Sequence, residues 1–144
     1  MKLMNIKYLF FIVLIFVNSC TQKTENRKTF NADDMMIRIS EIEIDSTDLE
    51  EYISILKEES EASVRLESGV ISIFPMYEKE NPTEIRILEI YKDKEAYESH
   101  LQTPHFKHYK TTTLKMVKSL KLIDMEAIDE QTMPAIFRKL PKNE

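Results

Sequence analysis

Apolar residues recur mostly at every second position between Met35 and Ile44, where Ile37, Ile39, Ile42 and Ile44 alternate with polar partners, and this period predicts a strand. A different rhythm follows. Leu49, Tyr52, Ile53, Leu56, Val64 and Leu66 stand among charges at helical spacing, so a helix is expected to about Glu67. Thr47, with Glu50 three residues on, has the spacing of a capping box. Gly69 falls where a left-handed C-terminal cap would be needed. Val70–Tyr77 reads as a second strand, with Pro75 implying an edge or a bulge. After the turn signal Asn81-Pro82-Thr83 comes a third strand, Glu84–Tyr91, with Ile85, Ile87, Glu89 and Tyr91 on one face. Asp93 is placed to cap a short helix to Leu101, and Thr103-Pro104 to start another. The apolar positions Phe106, Tyr109, Leu114, Val117 and Leu120 extend that last helix, and Leu122–Ile128 closes as a fourth strand. The order βαββααβ predicts an α+β, ferredoxin-like domain: a four-stranded antiparallel sheet with helices on one face. The uncovered face of such a sheet calls for a second copy, so a homodimer is expected.

Composition narrows the chemistry. The chain has 144 residues, room for one domain. It has a single glycine, which excludes a Gly-rich phosphate loop or a dinucleotide fingerprint. One cysteine excludes an internal disulfide and a Cys-based zinc site. A net charge of -5 argues against a nucleic-acid partner.

The N-terminus is an address. Lys2 and Lys7 precede the apolar run Tyr8–Val17, which as a helix would rise only about 15 Å, half of a hydrocarbon core. The run ends in Val17-Asn18-Ser19-Cys20, which resembles the lipobox of bacterial lipoproteins, where the cysteine is acylated and becomes the new N-terminus. Residues 1–19 are therefore expected to be a signal peptide, Cys20 the lipidation site, 20–34 a flexible tether, 35–128 the domain and 129–144 a tail with one short docked helix around Ala135–Leu140. The implied location is the cell envelope, outside the cytoplasm and anchored to a membrane by lipid.

Two further stretches are distinctive: Glu67-Ser68-Gly69-Val70-Ile71-Ser72, and the run from Glu89-Ile90-Tyr91 to His100-Leu101-Gln102-Thr103-Pro104-His105-Phe106. Together they resemble the antibiotic biosynthesis monooxygenase (ABM) domain family across about residues 35–128. The resemblance implies a dimeric α+β barrel with an apolar pocket between each sheet and its helices. It also implies cofactor-independent oxygenation of quinols or polyketide aromatics, or haem degradation in another branch. The haem-degrading pattern places an asparagine, a tryptophan and a histidine where this chain has Ser40, Tyr91 and Lys110, and the chain has no tryptophan. No cofactor is therefore expected.

Cofactor-free oxygenation needs a base and a dry pocket, because the deprotonated substrate must itself reduce oxygen. The candidate bases are His100, His105 and Glu89, and all three histidines fall within Glu89–Tyr109. Glu89 would act as a base on a buried face, or pair with a lysine at a dimer seam. His100, ending a helix, would take a proton near neutrality or cap carbonyls. His105, in a first helical turn, is expected to be neutral and hydrogen-bonded. His105 and His108 lack a third ligand at suitable spacing, so no metal is expected. Tyr91, Phe106 and Tyr109 would line the pocket or fill the core. The expected activity is monooxygenation of a small quinol or phenol; the alternative is a non-catalytic module that binds a small molecule or an envelope partner.

Overall fold

The computed structural model describes residues 31–129 together with 132, 133 and 139. The expected signal peptide, Cys20, most of the tether and, apart from Lys139, the expected 135–140 helix lie outside the described residues. After a short 3-10 turn, Ala32–Asp34, the elements are β1 (Met36–Ile44), α1 (Leu49–Leu66), β2 (Val70–Tyr77), β3 (Glu84–Tyr91), α2 (Lys94–His100), α3 (Pro104–Thr113) and β4 (Val117–Met125).

All four strands pair antiparallel in the order β2-β3-β1-β4, so the first strand is central. Register then assigns the faces. Ser40 lies opposite both Ile87 and Leu122, and Ile42 opposite Ile85 and Leu120, so these residues share the face beneath the helices. Ile42, Ile44, Tyr52, Leu56, Val70, Ile73, Ile85, Ile87, Tyr91 and Met116 form the core between sheet and helices. The opposite face carries Ile37, Ile39, Leu88 and Ile123, together with Phe74, Met76 and Met125, and these last three are 58%, 41% and 46% exposed.

Several local expectations are corrected. The Thr47–Glu50 capping box does not form. Thr47 instead donates its backbone N–H and its hydroxyl to Asp45 Oδ1, at 3.0 and 2.7 Å, and Asp48 caps α1 without a side-chain bond. Those two bonds from Thr47 hold the Asp45 carboxyl below its ordinary range. The last helix stops at Thr113, after three β-branched threonines that favour helix weakly. Leu114–Met116 forms a 3-10 turn, and Val117 pairs with Ile44 at a bulge, so Val117 and Leu120 belong to β4. Val64 and Leu66 are exposed, at 47% and 61%. Pro75 sits on the edge strand β2, where its missing N–H costs no ladder bond.

Gly69 has no positive φ, so a left-handed cap is not its reason. A Cβ there would lie 2.5 Å from the Ala96 Cβ, because α2 begins directly over the entry to β2. The Gly69 carbonyl also accepts the Lys92 N–H at 2.8 Å, tying the two segments. The glycine is therefore required by close approach. Gly69→Ala is expected to destabilise the fold by about 1–3 kcal/mol, read as a lower urea midpoint, and Ala96→Gly in the same chain to recover most of the loss.

Candidate active site

A cavity of about 210 Å³ lies between the helix-facing side of the sheet and the three helices. Its floor is Ile42 and Ile87, and Leu56, Phe106 and Tyr109 come from the helices above. Polar groups enter from five elements: Arg38 and Ser40 from β1, Glu59 from α1, Glu89 and Tyr91 from β3, His100 from α2, and Tyr109 and Lys110 from α3. Of the six residues the sequence singles out, Glu89, Tyr91, His100, Phe106 and Tyr109 thus meet on one cavity. His105 does not. It lines a separate outer cleft with Glu59, His108 and Tyr109, because α3 turns its second residue away from the sheet.

The third strand positions two of these groups two residues apart on one face. Glu89 accepts a bond from the Ser40 hydroxyl and another from the Tyr91 hydroxyl at 2.9 Å. No lysine pairs with it among the described residues; both carboxylate oxygens are engaged by hydroxyl donors instead. Burial, with Glu89 beside it, pushes the Tyr91 phenol well above its ordinary range, so Tyr91 remains a neutral donor. The Tyr91 ring packs edge-on to Tyr97 at 5.3 Å. Arg38 reaches over Tyr97, its guanidinium 4.9 Å from the ring centroid, and bonds Asp124 through Nε and Nη2 at 2.8 and 2.7 Å.

The helices supply the rest. Asp93 caps α2 by accepting the Ala96 N–H at 2.8 Å, and Thr103 caps α3 with Pro104 in its first turn, as the sequence indicates. His100 ends α2 and is only 2% exposed. Its Nδ1 lies 3.0 Å from Glu67 Oε1 and its Nε2 3.6 Å from Glu59 Oε1, so carboxylates rather than backbone carbonyls engage the ring. His105 Nε2 meets the same Glu67 oxygen at 2.6 Å. Tyr109 bonds Tyr52 through their hydroxyls at 2.7 Å, and burial pushes its phenol up to about 12.

Glu59 and Glu67 are functional candidates that the apolar periodicity conceals. The stripe of α1 facing the sheet begins with Tyr52 and Leu56, then turns polar at Glu59, Ser60 and Ser63, and ends at Glu67. Polar residues continuing an apolar stripe at intervals of three and four are the signal that could have found them. Ser63 donates to Glu59 at 2.8 Å, and Ser60 donates to the Leu56 carbonyl at 2.7 Å, which satisfies the stripe internally. Burial pushes the Glu59 carboxyl above its ordinary range. Glu89 adds to the rise, while Ser63, His100 and His105 oppose it.

Glu67, His100 and His105 bring three metal-ligating atoms within 4.8 Å of one another. Their shorter separations, 2.6 and 3.0 Å, are those of hydrogen bonds. Ligands on a tetrahedral ion with bonds near 2.0–2.1 Å stand about 3.3 Å apart, so an ion would have to part Glu67 from His105. The cluster is a hydrogen-bonded unit. Ser40, Tyr91 and Lys110, the positions that depart from the haem-degrading pattern, all line the cavity.

A four-stranded antiparallel sheet with its helices on one face and a cavity between the two layers defines a ferredoxin-like α+β protein. The family model for antibiotic biosynthesis monooxygenases matches residues 35–112, and the chain belongs to that family. A Bacteroides thetaiotaomicron protein of known structure, provisionally named an antibiotic biosynthesis monooxygenase, is 52% identical; the match covers 69% of this chain and 94% of that one, with a TM-score of 0.68. A Lactobacillus acidophilus protein, provisionally named a monooxygenase, is 31% identical over 65% of this chain and 45% of its own longer one, with a TM-score of 0.64. A Nitrosomonas europaea structure at 18% identity, covering 67% of this chain and 93% of its own with a TM-score of 0.63, shares the fold. No curated protein matches the sequence.

The raised Glu59 carboxyl fixes the sign of one pH effect. The folded state disfavours the charged form, so this group's contribution to stability is full below the ordinary glutamate range and is lost as pH rises through the raised value. Glu59→Gln is therefore expected to melt several degrees higher than the parent at about pH 8, with the difference vanishing at about pH 4, as followed by circular dichroism.

Proposed function

We propose that the protein is a cofactor-independent monooxygenase acting on a small quinol or phenol. The observation that carries this reading is the juxtaposition of the buried Glu59 carboxyl and the His100 imidazole on the wall of an aromatic-lined cavity. A cavity of about 210 Å³ suits a substrate of one or two rings, given that a void of roughly 150 Å³ accommodates benzene. Family membership supports the reaction class.

The residues divide the work. Glu67 holds His100 by Nδ1, which leaves Nε2, on the Glu59 side, to take a phenolic proton. Glu89 is occupied by Ser40 and Tyr91, so its role is to orient the Tyr91 hydroxyl, which can turn to the second substrate oxygen. Phe106 and Tyr109 pack the ring, and the largely apolar surroundings raise the energy of a bare anion until it gives electrons to oxygen. For a hydroquinone the balance is one quinol plus one O₂ giving one hydroxyquinone plus one water. Oxygen takes four electrons, a ring C–H becomes C–OH, and the other oxygen atom leaves as water with two protons.

We place this chemistry at the cell envelope, with the chain tethered through an acylated Cys20, on the strength of the charged, apolar and cysteine-terminated N-terminus. We also propose a homodimer that buries the outer sheet face, because Phe74, Met76 and Met125 otherwise expose a contiguous apolar surface beside Ile39 and Leu88. Light scattering of the detergent-extracted protein, corrected for detergent, should give twice the chain mass. Cys20→Ser should move the protein out of the membrane fraction; a monomer, or unchanged membrane binding, would refute the respective claim.

Oxygen uptake tests the activity. The full chain with a panel of hydroquinones, after subtraction of autoxidation, is expected to show saturable uptake and a product one oxygen heavier than the corresponding quinone. His100→Ala is expected to lower kcat about 10²-fold. Uptake that His100→Ala leaves unchanged would remove His100 as the base. Ligand binding without uptake across the panel would favour the non-catalytic small-molecule module.

A further inference from the structure

Four ionisable side chains stand in line from the cavity to the surface of the helical layer. Glu59 and His100 border the cavity, and Glu67 and His105 do not. The contacts run Glu59 Oε1 to His100 Nε2 at 3.6 Å, His100 Nδ1 to Glu67 Oε1 at 3.0 Å, and Glu67 Oε1 to His105 Nε2 at 2.6 Å. Side-chain exposure is 5% and 3% for the first two, then 13% and 17% for the last two. The line ends at the outer cleft of about 240 Å³, whose wall His105 shares with His108, Tyr109 and Glu59, so Glu59 borders both the cavity and the cleft. Glu59 and Glu67 face His100 from α1 and its C-terminal cap, His105 and Phe106 from α3, and Tyr91 from β3.

We propose that Glu67 and His105 are relay residues that pass protons between His100, at the cavity wall, and solvent in the outer cleft. A base acting alone needs only His100 Nε2. Neither Glu67 nor His105 touches the cavity, yet one carboxylate oxygen bridges both imidazoles. The transfer is balanced in protons and involves no electrons. His105 starts as its Nδ1–H tautomer, with the Glu67 proton directed at His105 Nε2. A proton bonds to His100 Nε2 as the His100 Nδ1 proton passes to Glu67 Oε1, the proton already on Glu67 passes to His105 Nε2, and His105 gives up its Nδ1 proton to water. The reverse passage returns a proton for the oxygen atom that leaves as water. This use of the relay rests on the oxygenase reading proposed above; the existence of the relay does not.

The test therefore needs no substrate. In the 15N-labelled full chain held in mild detergent, the exchange of the His100 Nδ1 proton with water is followed by NMR. The relay gives that buried proton a route out. Glu67→Gln keeps a hydrogen-bonding group between the rings but cannot carry a proton, so it is expected to slow exchange at least tenfold. His105→Phe, which removes the outlet, should do the same, and it serves as the second variant if Glu67→Gln does not fold. A purely structural clamp predicts the opposite sign, because loosening it would speed exchange. Faster or unchanged exchange in both variants overturns the relay. Slowed exchange in a protein that consumes no oxygen would uphold the relay while removing the oxygenase reading.

Discussion

A carboxylate buried between two imidazoles sets the terms for the helical layer. Glu67 caps the end of α1, His100 ends α2 and His105 lies in the first turn of α3, so one oxygen atom joins three helix termini. A carboxyl group with little access to water needs polar partners, and the two rings provide them. That requirement fixes where α2 must stop and where α3 must start. The Thr103 hydroxyl, donating to the His100 carbonyl at 2.8 Å, reinforces the corner. Moving any one of these termini would leave a charge without its partner, at a cost of several kcal/mol.

The cavity is a by-product of the same arrangement. Because the inner stripe of α1 turns from Tyr52 and Leu56 to Glu59, Ser60 and Ser63, the helix does not bury apolar bulk along its whole length. Of that stripe Leu56 and Glu59 reach the cavity above Ile42 and Ile87, and the serine hydroxyls satisfy what they bury. Tyr91 closes the far end as a neutral phenol on Glu89. The site therefore combines a dry wall with groups whose protonation is biased by burial, a combination associated with proton chemistry.

Much of this was legible in the residues. Alternation located β1 to within a residue and β3 to its ends, and Asp93, Thr103 and Pro104 marked the two short helices. The strand face of Glu89 and Tyr91 followed from period two alone. What periodicity could not supply was the partner of each polar group. The boundary between α3 and β4 was hidden because Leu114, Val117 and Leu120 suit a helix as well as a strand, and pairing with β1 decided the matter. The inward face of α1 was misjudged for a related reason. Val64 and Leu66 look like core and are exposed, whereas Glu59 and Ser63 look like surface and are buried. Gly69 was noticed for the right position and the wrong cause, since its constraint comes from Ala96, distant in sequence.

The β4 side of the cavity differs from the rest. Leu120 and Leu122 line it while remaining 57% and 49% exposed, and β4 is an edge strand with no neighbour beyond it among the described residues. A bound ring would thus meet two unlike boundaries. Around Glu59, His100 and Tyr91 each added atom must displace packed side chains. Along β4 an apolar substituent can run outward over the two leucines without being enclosed. Discrimination belongs to the head of such a molecule and tolerance to its tail, so related compounds differing only in chain length should compete on nearly equal terms.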